Sequence, residues 1–259
     1  MAELVSTPTL TPPRYGLLSV ADIIPDSGRW INGVEYYRNP PADAATADDV
    51  DCDDVPATDL GDDVPRASDK ALRVHSGFTV KHPGLTPDEI HAYARGRLAN
   101  SEGPAVERKI WPKILTGAAT PAGAAAVSLL AGIGALEGWL YDTYGGTGVI
   151  HVPRSAVPYL KDAKQLVETS GRLTTILGTR VAAGAYPGTD SAGAAPAAGA
   201  TWIAATPAVQ IRRSDTRVRT VDGYFDHRTN NATGIADRLY IVGWENLSAA
   251  VQITLEGTP

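Results

Sequence analysis

Five histidines, at positions 75, 82, 91, 151 and 227, are the side chains best suited to acid–base work near neutral pH. None stands at a spacing that pairs it with a serine, a cysteine or a carboxylate in a recognisable catalytic arrangement. His151 falls in the apolar run Val149-Ile150-His151-Val152, which predicts a core histidine with its hydrogen bonds satisfied. Aspartates at 48, 49, 51, 53 and 54 have the oxygen chemistry of a hard-cation site, but lack the turn glycine and closing glutamate of a calcium loop. A solvated loop is the expectation there. Gly132-Ile133-Gly134-Ala135-Leu136-Glu137-Gly138 loosely matches the glycine pattern of dinucleotide loops, yet its glycines sit inside a helical stripe rather than between a strand and a helix. The reading is therefore no catalytic residue, no cofactor and no metal, and a protein that is not an enzyme.

Cys52 is the only cysteine, so no internal disulfide can form and stability must come from burial and assembly. Arg212, Arg213, Arg217 and Arg219 form a basic run suited to DNA or an acidic partner, or to keeping an edge strand soluble. Asn231-Ala232-Thr233 and Asn246-Leu247-Ser248 match the glycosylation pattern by chance if the chain never meets the secretory route. That is the expectation, because no apolar run reaches the roughly 20 residues of a membrane span and the start lacks a signal-peptide pattern.

The net charge of −6 conceals an asymmetry. Residues 1–72 carry 14 acidic and 5 basic side chains, a net of −9, which leaves +3 for residues 73–259. Residues 1–28 contain four prolines and only short apolar groups, so they read as an arm that packs on something else, a neighbouring subunit being the natural candidate. Ten aspartates lie between Asp43 and Asp69, with almost nothing large and apolar to build a core.

The elements that must position these residues are legible in part. Gly28 to Tyr37 resembles a hairpin turning at Asn32-Gly33. Arg73 to Val80 is extended, with Val74, Phe78 and Val80 on one face. Thr86-Pro87-Asp88-Glu89 is a helix start with a capping box. Ile90, Tyr93, Ala94 and Leu98 continue it as one stripe, and Val106, Ile110 and Ile114 resume after Gly103-Pro104, so a long helix interrupted there and bent or ended at Pro112 is expected. Val127, Leu130, Ile133, Leu136, Leu140 and Tyr144 make a second helical stripe whose glycines allow close packing.

From Gly145 to Gly188 the chain reads as helix stop, strand, short helix opened by Pro153-Arg154-Ser155, glycine turn at Gly171 and strand, which is the pattern of an α/β layer. A small-residue loop over 189–199 leads into two strands, Thr201–Thr206 and Val209–Arg213. Arg238–Trp244 and Ala249–Leu255 read as two more, paired as a hairpin or as neighbours in one sheet, with the chain finishing inside the body.

Leu136 to Gly146, Val149-Ile150-His151-Val152-Pro153, Leu177-Gly178-Thr179-Arg180-Val181, and Trp202–Ala205 with Val209–Arg213 resemble the axial lobe of the major capsid proteins of tailed bacteriophages, a fold shared with encapsulin shells. Phe78-Thr79-Val80 with Val106 to Trp111 resembles the start of the peripheral lobe of the same family. The resemblance covers about two thirds of the chain, from Arg73 onward.

It implies an α+β fold with an N-terminal arm (1–27), an extended acidic loop (28–77), a peripheral domain with a long spine helix (78–120), an axial α/β domain (121–213) and peripheral return strands (214–259). It further implies self-assembly into hexamers and pentamers of an icosahedral shell around packaged double-stranded DNA. The partners would be other copies of the chain, with portal, scaffolding and decoration proteins and non-specific DNA contact, and no membrane. The location would be the virion, after assembly in the host bacterial cytoplasm.

Some shells of this family cross-link a loop lysine to a neighbour's asparagine. Here only Lys70 precedes Lys81, with Asn230, Asn231 and Asn246 as available partners, so purified shells boiled in SDS are expected to run as 27.2 kDa monomers. A covalent ladder on the gel would refute this. An encapsulin-like compartment would need an N-terminal cargo-binding helix that the prolines oppose. A tail-tube or decoration protein would be mostly β and lack the helices at Pro87 and Val127.

Overall fold

A computed structural model of the chain describes residues 11, 13–26, 30–42, 64–81, 86–226 and 231–255, with side chains undescribed over 220–226. The acidic run 48–54, Cys52, His82, His227, Asn230 and the last four residues lie outside the described residues. Among the described residues no helix is long and apolar enough to cross a membrane.

Before the first long helix come a one-turn helix, α1 (Leu17–Val20), and four strands: β1 (Asp22–Pro25), β2 (Val34–Tyr37), β3 (Arg66–Asp69) and β4 (Leu72–Lys81). Helix α2 (Pro87–Leu115) follows the capping box as expected, with Thr86 Oγ1 accepting from the Glu89 amide and the Glu89 carboxylate accepting from the Thr86 amide. It is not interrupted. Pro104 and Pro112 both lie inside 29 continuous residues, a rod about 43 Å long. Ala94, Leu98, Val106, Ile110, Trp111 and Ile114 are buried on both sides of Pro104, and that burial offsets a local cost of about 3 kcal/mol per proline. Tyr93 departs from the expected stripe: it is exposed and packs edge-on against Phe78 of β4.

Helix α3 (Leu129–Trp139) is capped by Ser128 and runs into a π-helical turn at Leu140–Tyr144, which Gly145 ends at φ +70°. Ile133, Leu136 and Leu140 are buried, whereas Leu130 is exposed. Of the three stripe glycines only Gly132 is explained by close packing, since a Cβ there would sit 2.3 Å from Ile253. Gly134 and Gly138 face open space.

The block from Gly145 to Gly188 forms the strand, short helix, glycine turn and closing strand that were read, and adds a hairpin that was not: β5 (Val149–Pro153), a 3-10 turn at Arg154–Ala156, α4 (Val157–Asp162), a hairpin of β6 (Leu166–Thr169) and β7 (Arg172–Thr175) turning through Gly171, and β8 (Arg180–Gly184). Then come β9 (Ala200–Thr206), β10 (Gln210–Arg213), β11 (Arg217–Asp226), β12 (Asn231–Gly243) and β13 (Ala249–Thr254).

Two main sheets result. The six-stranded one has the order β13-β9-β5-β8-β7-β6, with β5 and β8 parallel. In the five-stranded one β12 is central, with β4 along one side, β11 and then β10 along the other, and β1 added parallel outside β10. Helix α2 lies between the sheets: Val106, Ile110, Trp111 and Ile114 share a core with Ala182 and Ala204 of one and Ile211, Tyr240 and Val242 of the other. A second core joins Ile133 and Leu136 of α3 to Leu160 of α4 and to Ile150, Ile203 and Ile253 of the six-stranded sheet.

Three expectations are corrected. Asn32-Gly33 does turn, with Gly33 at φ +107°, but among the described residues the partner of β2 is β3, some thirty residues on. The last two strands do not pair: β12 centres one sheet and β13 edges the other, because Glu245 and Asn246, both at positive φ, redirect the chain between layers. And the described part of the arm is not free of its own chain. Leu17 is fully buried against α2, and β1 is hydrogen-bonded along β10.

Candidate assembly surfaces

Among the described residues, those with potential chemistry do not converge. His151 is fully buried on β5, with Nδ1 2.9 Å from the Tyr186 hydroxyl and Nε2 2.9 Å from Thr206 Oγ1. Burial pushes its pKa down to about 3, so it is neutral at any physiological pH and braces the core as expected. His75 is exposed on β4, far along the chain and in a different sheet, and His91 lies on α2. Gly132–Gly138 lies within α3, where no strand precedes it to form a phosphate loop. Among the described residues no group of three or more His, Cys, Asp or Glu side chains is arranged to hold a metal.

The arginine run is partly spent within the chain. Arg212 pairs with Asp26 at 2.9 Å, and Arg219 joins Arg73 on the carboxylate of Asp237. Burial pushes that carboxyl up, but hydrogen bonds and charge from the two arginines outweigh it and hold it below the usual range. Strand β10 is moreover interior, between β1 and β12, so Arg212 and Arg213 are not on an edge strand. Asn246, one of the available cross-link partners, donates to the Ser68 carbonyl.

What the fold does present is a rigid apolar tip. Between β7 and β8 the chain turns through Ile176-Leu177-Gly178, with the Gly178 amide on the Thr175 carbonyl, the Thr175 amide on the Thr179 carbonyl, and Gly178 at φ +92°. Glu137 of α3 pins both ends of this turn, accepting hydrogen bonds from the hydroxyls of Thr175 and, at 2.7 Å, Thr179. Held this way, Ile176 and Leu177 are 62% and 74% exposed, and Tyr141 of the neighbouring π turn is 81% exposed. Leu177 and Tyr141 border one hollow of about 280 Å³, floored by Leu140 and Gly145 to Thr147. A monomer gains nothing from fixing two large aliphatic side chains in water, so the tip has the character of a contact surface. The sequence showed Leu177 only as part of a resemblance; the anchoring role of Glu137 was hidden because its hydroxyl partners lie about forty residues away.

No family model matches the sequence, and no curated protein matches it. Solved structures do. A chain from the capsid of a native GTA particle, determined with C5 symmetry, superposes with a TM-score of 0.57 at 12% identity, covering 97% of this chain and 95% of that one. A chain from the asymmetric unit of the bacteriophage PhiM1 mature capsid gives 0.53 at 12% identity over 98% of this chain and 90% of that one. A chain from Mycobacterium phage Ogopogo gives 0.55 at 14% identity over 98% and 97%. Identity this low speaks to the fold alone: the chain has the mixed α+β fold of phage capsid chains.

Proposed function

We propose that the protein is a structural shell subunit, a major capsid protein whose copies form hexamers and pentamers of an icosahedral head around double-stranded DNA. The observation that carries this reading is the extent of the likeness, 97% of this chain against 95% of a capsid chain. The exposed tip at Tyr141, Ile176 and Leu177 supports it, as a surface made for contact between copies. In this reading α2 with the five-stranded sheet forms the peripheral domain, α3 and α4 with the six-stranded sheet form the axial domain, and residues outside both layers reach neighbouring copies. Portal, scaffolding and decoration proteins and non-specific DNA contacts complete the partners, and the virion is the location.

The test is electron microscopy of the protein expressed alone at high concentration. Closed shells or capsomer rings are expected; a well-behaved monomer at every concentration would count against the reading.

A further inference from the structure

Glu107 of α2 is a carboxylate only 4% exposed, and among the described residues no Lys, Arg or His forms an ion pair with it. Its two oxygens go to two different parts of the chain. Oε1 accepts the Leu17 amide at 2.8 Å and Oε2 accepts the Ala185 amide at 2.6 Å. Both neighbours are shaped around it: a Cβ on Gly16 would lie 2.7 Å from Oε1, and one on Gly184 would lie 2.6 Å from the carboxyl carbon. Around this point the segment 14–20 is laid across the molecule as a strap. The Tyr15 carbonyl accepts the Ala183 amide, Arg154 donates to the Arg14 carbonyl, Arg180 donates to the Val20 carbonyl, and Leu17 is the strap's one fully buried side chain.

We propose that Glu107 is a charge-operated latch, tying the strap of residues 14–20 to α2 and to the end of β8 with a strength set by whether its carboxyl is ionised. Closing the strap takes the carboxylate out of water with only the Leu17 amide gained in exchange; opening it returns the charge to solvent. The groups facing it are few: Arg108 on its own helix, Arg154 on the turn after β5, and the Tyr186 hydroxyl beyond β8. The strap offers it the Leu17 amide, while Arg14 gives its carbonyl to Arg154 and Tyr15 gives its hydroxyl to the Glu168 carboxylate, a second tie of the strap to an acid. Burial raises the carboxyl above its ordinary range, and the two amides and two arginines only partly counter it.

The sign follows. The closed state holds the proton more tightly than the open one, so acid favours the closed strap, and the advantage is lost as pH rises from the ordinary glutamate range through the raised closed-state value. Each unit between the two states changes the closed-to-open ratio about tenfold. The device does not depend on the shell reading, because it is built within one chain.

The experiment uses the full chain with Cys52→Ser and a nitroxide on Ser19→Cys, an exposed strap position, followed by electron paramagnetic resonance from about pH 4 to about pH 8. The immobilised fraction is expected to fall as pH rises, with a flat profile in Glu107→Gln. Gly16→Ala places a Cβ 2.7 Å from Oε1, so strap and carboxyl must move apart and the contact to the Leu17 amide is broken whichever of them gives way; this strap is expected to be mobile throughout. A wild-type profile that is flat, or one that Glu107→Gln reproduces, overturns the latch. So does a Gly16→Ala strap as immobile as the wild type, an outcome that remains decisive if the glutamine variant fails to fold.

Discussion

On the proposed shell reading, replacing Ile176 and Leu177 together by aspartate is expected to abolish particles while leaving the subunit folded. Neither side chain belongs to a core, and the turn beneath them is held by Glu137, Thr175, Thr179 and the backbone, none of which the substitution touches. The cost to the isolated chain is therefore small, within about 0.5 kcal/mol as for surface substitutions elsewhere. At a closed contact the same change removes two large aliphatic groups and confronts the partner with two charges, each costing several kcal/mol to dehydrate. Rotational symmetry repeats that cost at every copy in a ring. Circular dichroism should match the wild type while sedimentation and microscopy show no rings or shells. Normal particles from the double variant would remove the tip from the contact surface.

Trp111→Ala is the substitution expected to damage the fold most. Trp111 is fully buried in α2, at the point where the helix meets both sheets, and its ring lies 5.2 Å from that of Tyr186. Its indole Nε1 donates to the Thr189 carbonyl at 2.9 Å, which anchors the start of the small-residue loop. Truncation leaves a cavity and an unmatched carbonyl, a loss of about 3–5 kcal/mol. Set against a typical total of about 5–15 kcal/mol, that is enough to populate unfolded chain at moderate temperature. Urea denaturation of the unassembled subunit measures it, and a shift worth less than about 1 kcal/mol would show the site to be less tightly packed than the burial indicates.

How much of this was legible in the sequence depended on the range of the interaction. The capping box at Thr86 and Glu89, the stop at Gly145 and the turn at Gly171 are set by neighbours a few residues apart, and all formed where they were read. His151 was legible because its apolar strand neighbours dictate burial. The continuity of α2 was not, because the local cost of Pro104 and Pro112 is visible in the chain while the burial that offsets it comes from strands far along the chain in both sheets. The separation of β12 from β13 was hidden for a similar reason. Alternation marks a strand but does not say which sheet it joins, and the switch rests on two left-handed residues, Glu245 and Asn246, that are not glycine. The tip and the latch escaped detection because Glu137 and Glu107 look like ordinary helix glutamates until their partners arrive.

The strand order has a consequence for synthesis. The middle of one sheet is β12 and an edge of the other is β13, both supplied by residues 231–254. A ribosome therefore releases most of the chain before the five-stranded layer can gain its central strand, whereas the tip at Tyr141, Ile176 and Leu177 lies on elements finished earlier. The layer around β12 thus closes late, with β4, β10 and β11 waiting for their common neighbour until residues 231–243 have been made.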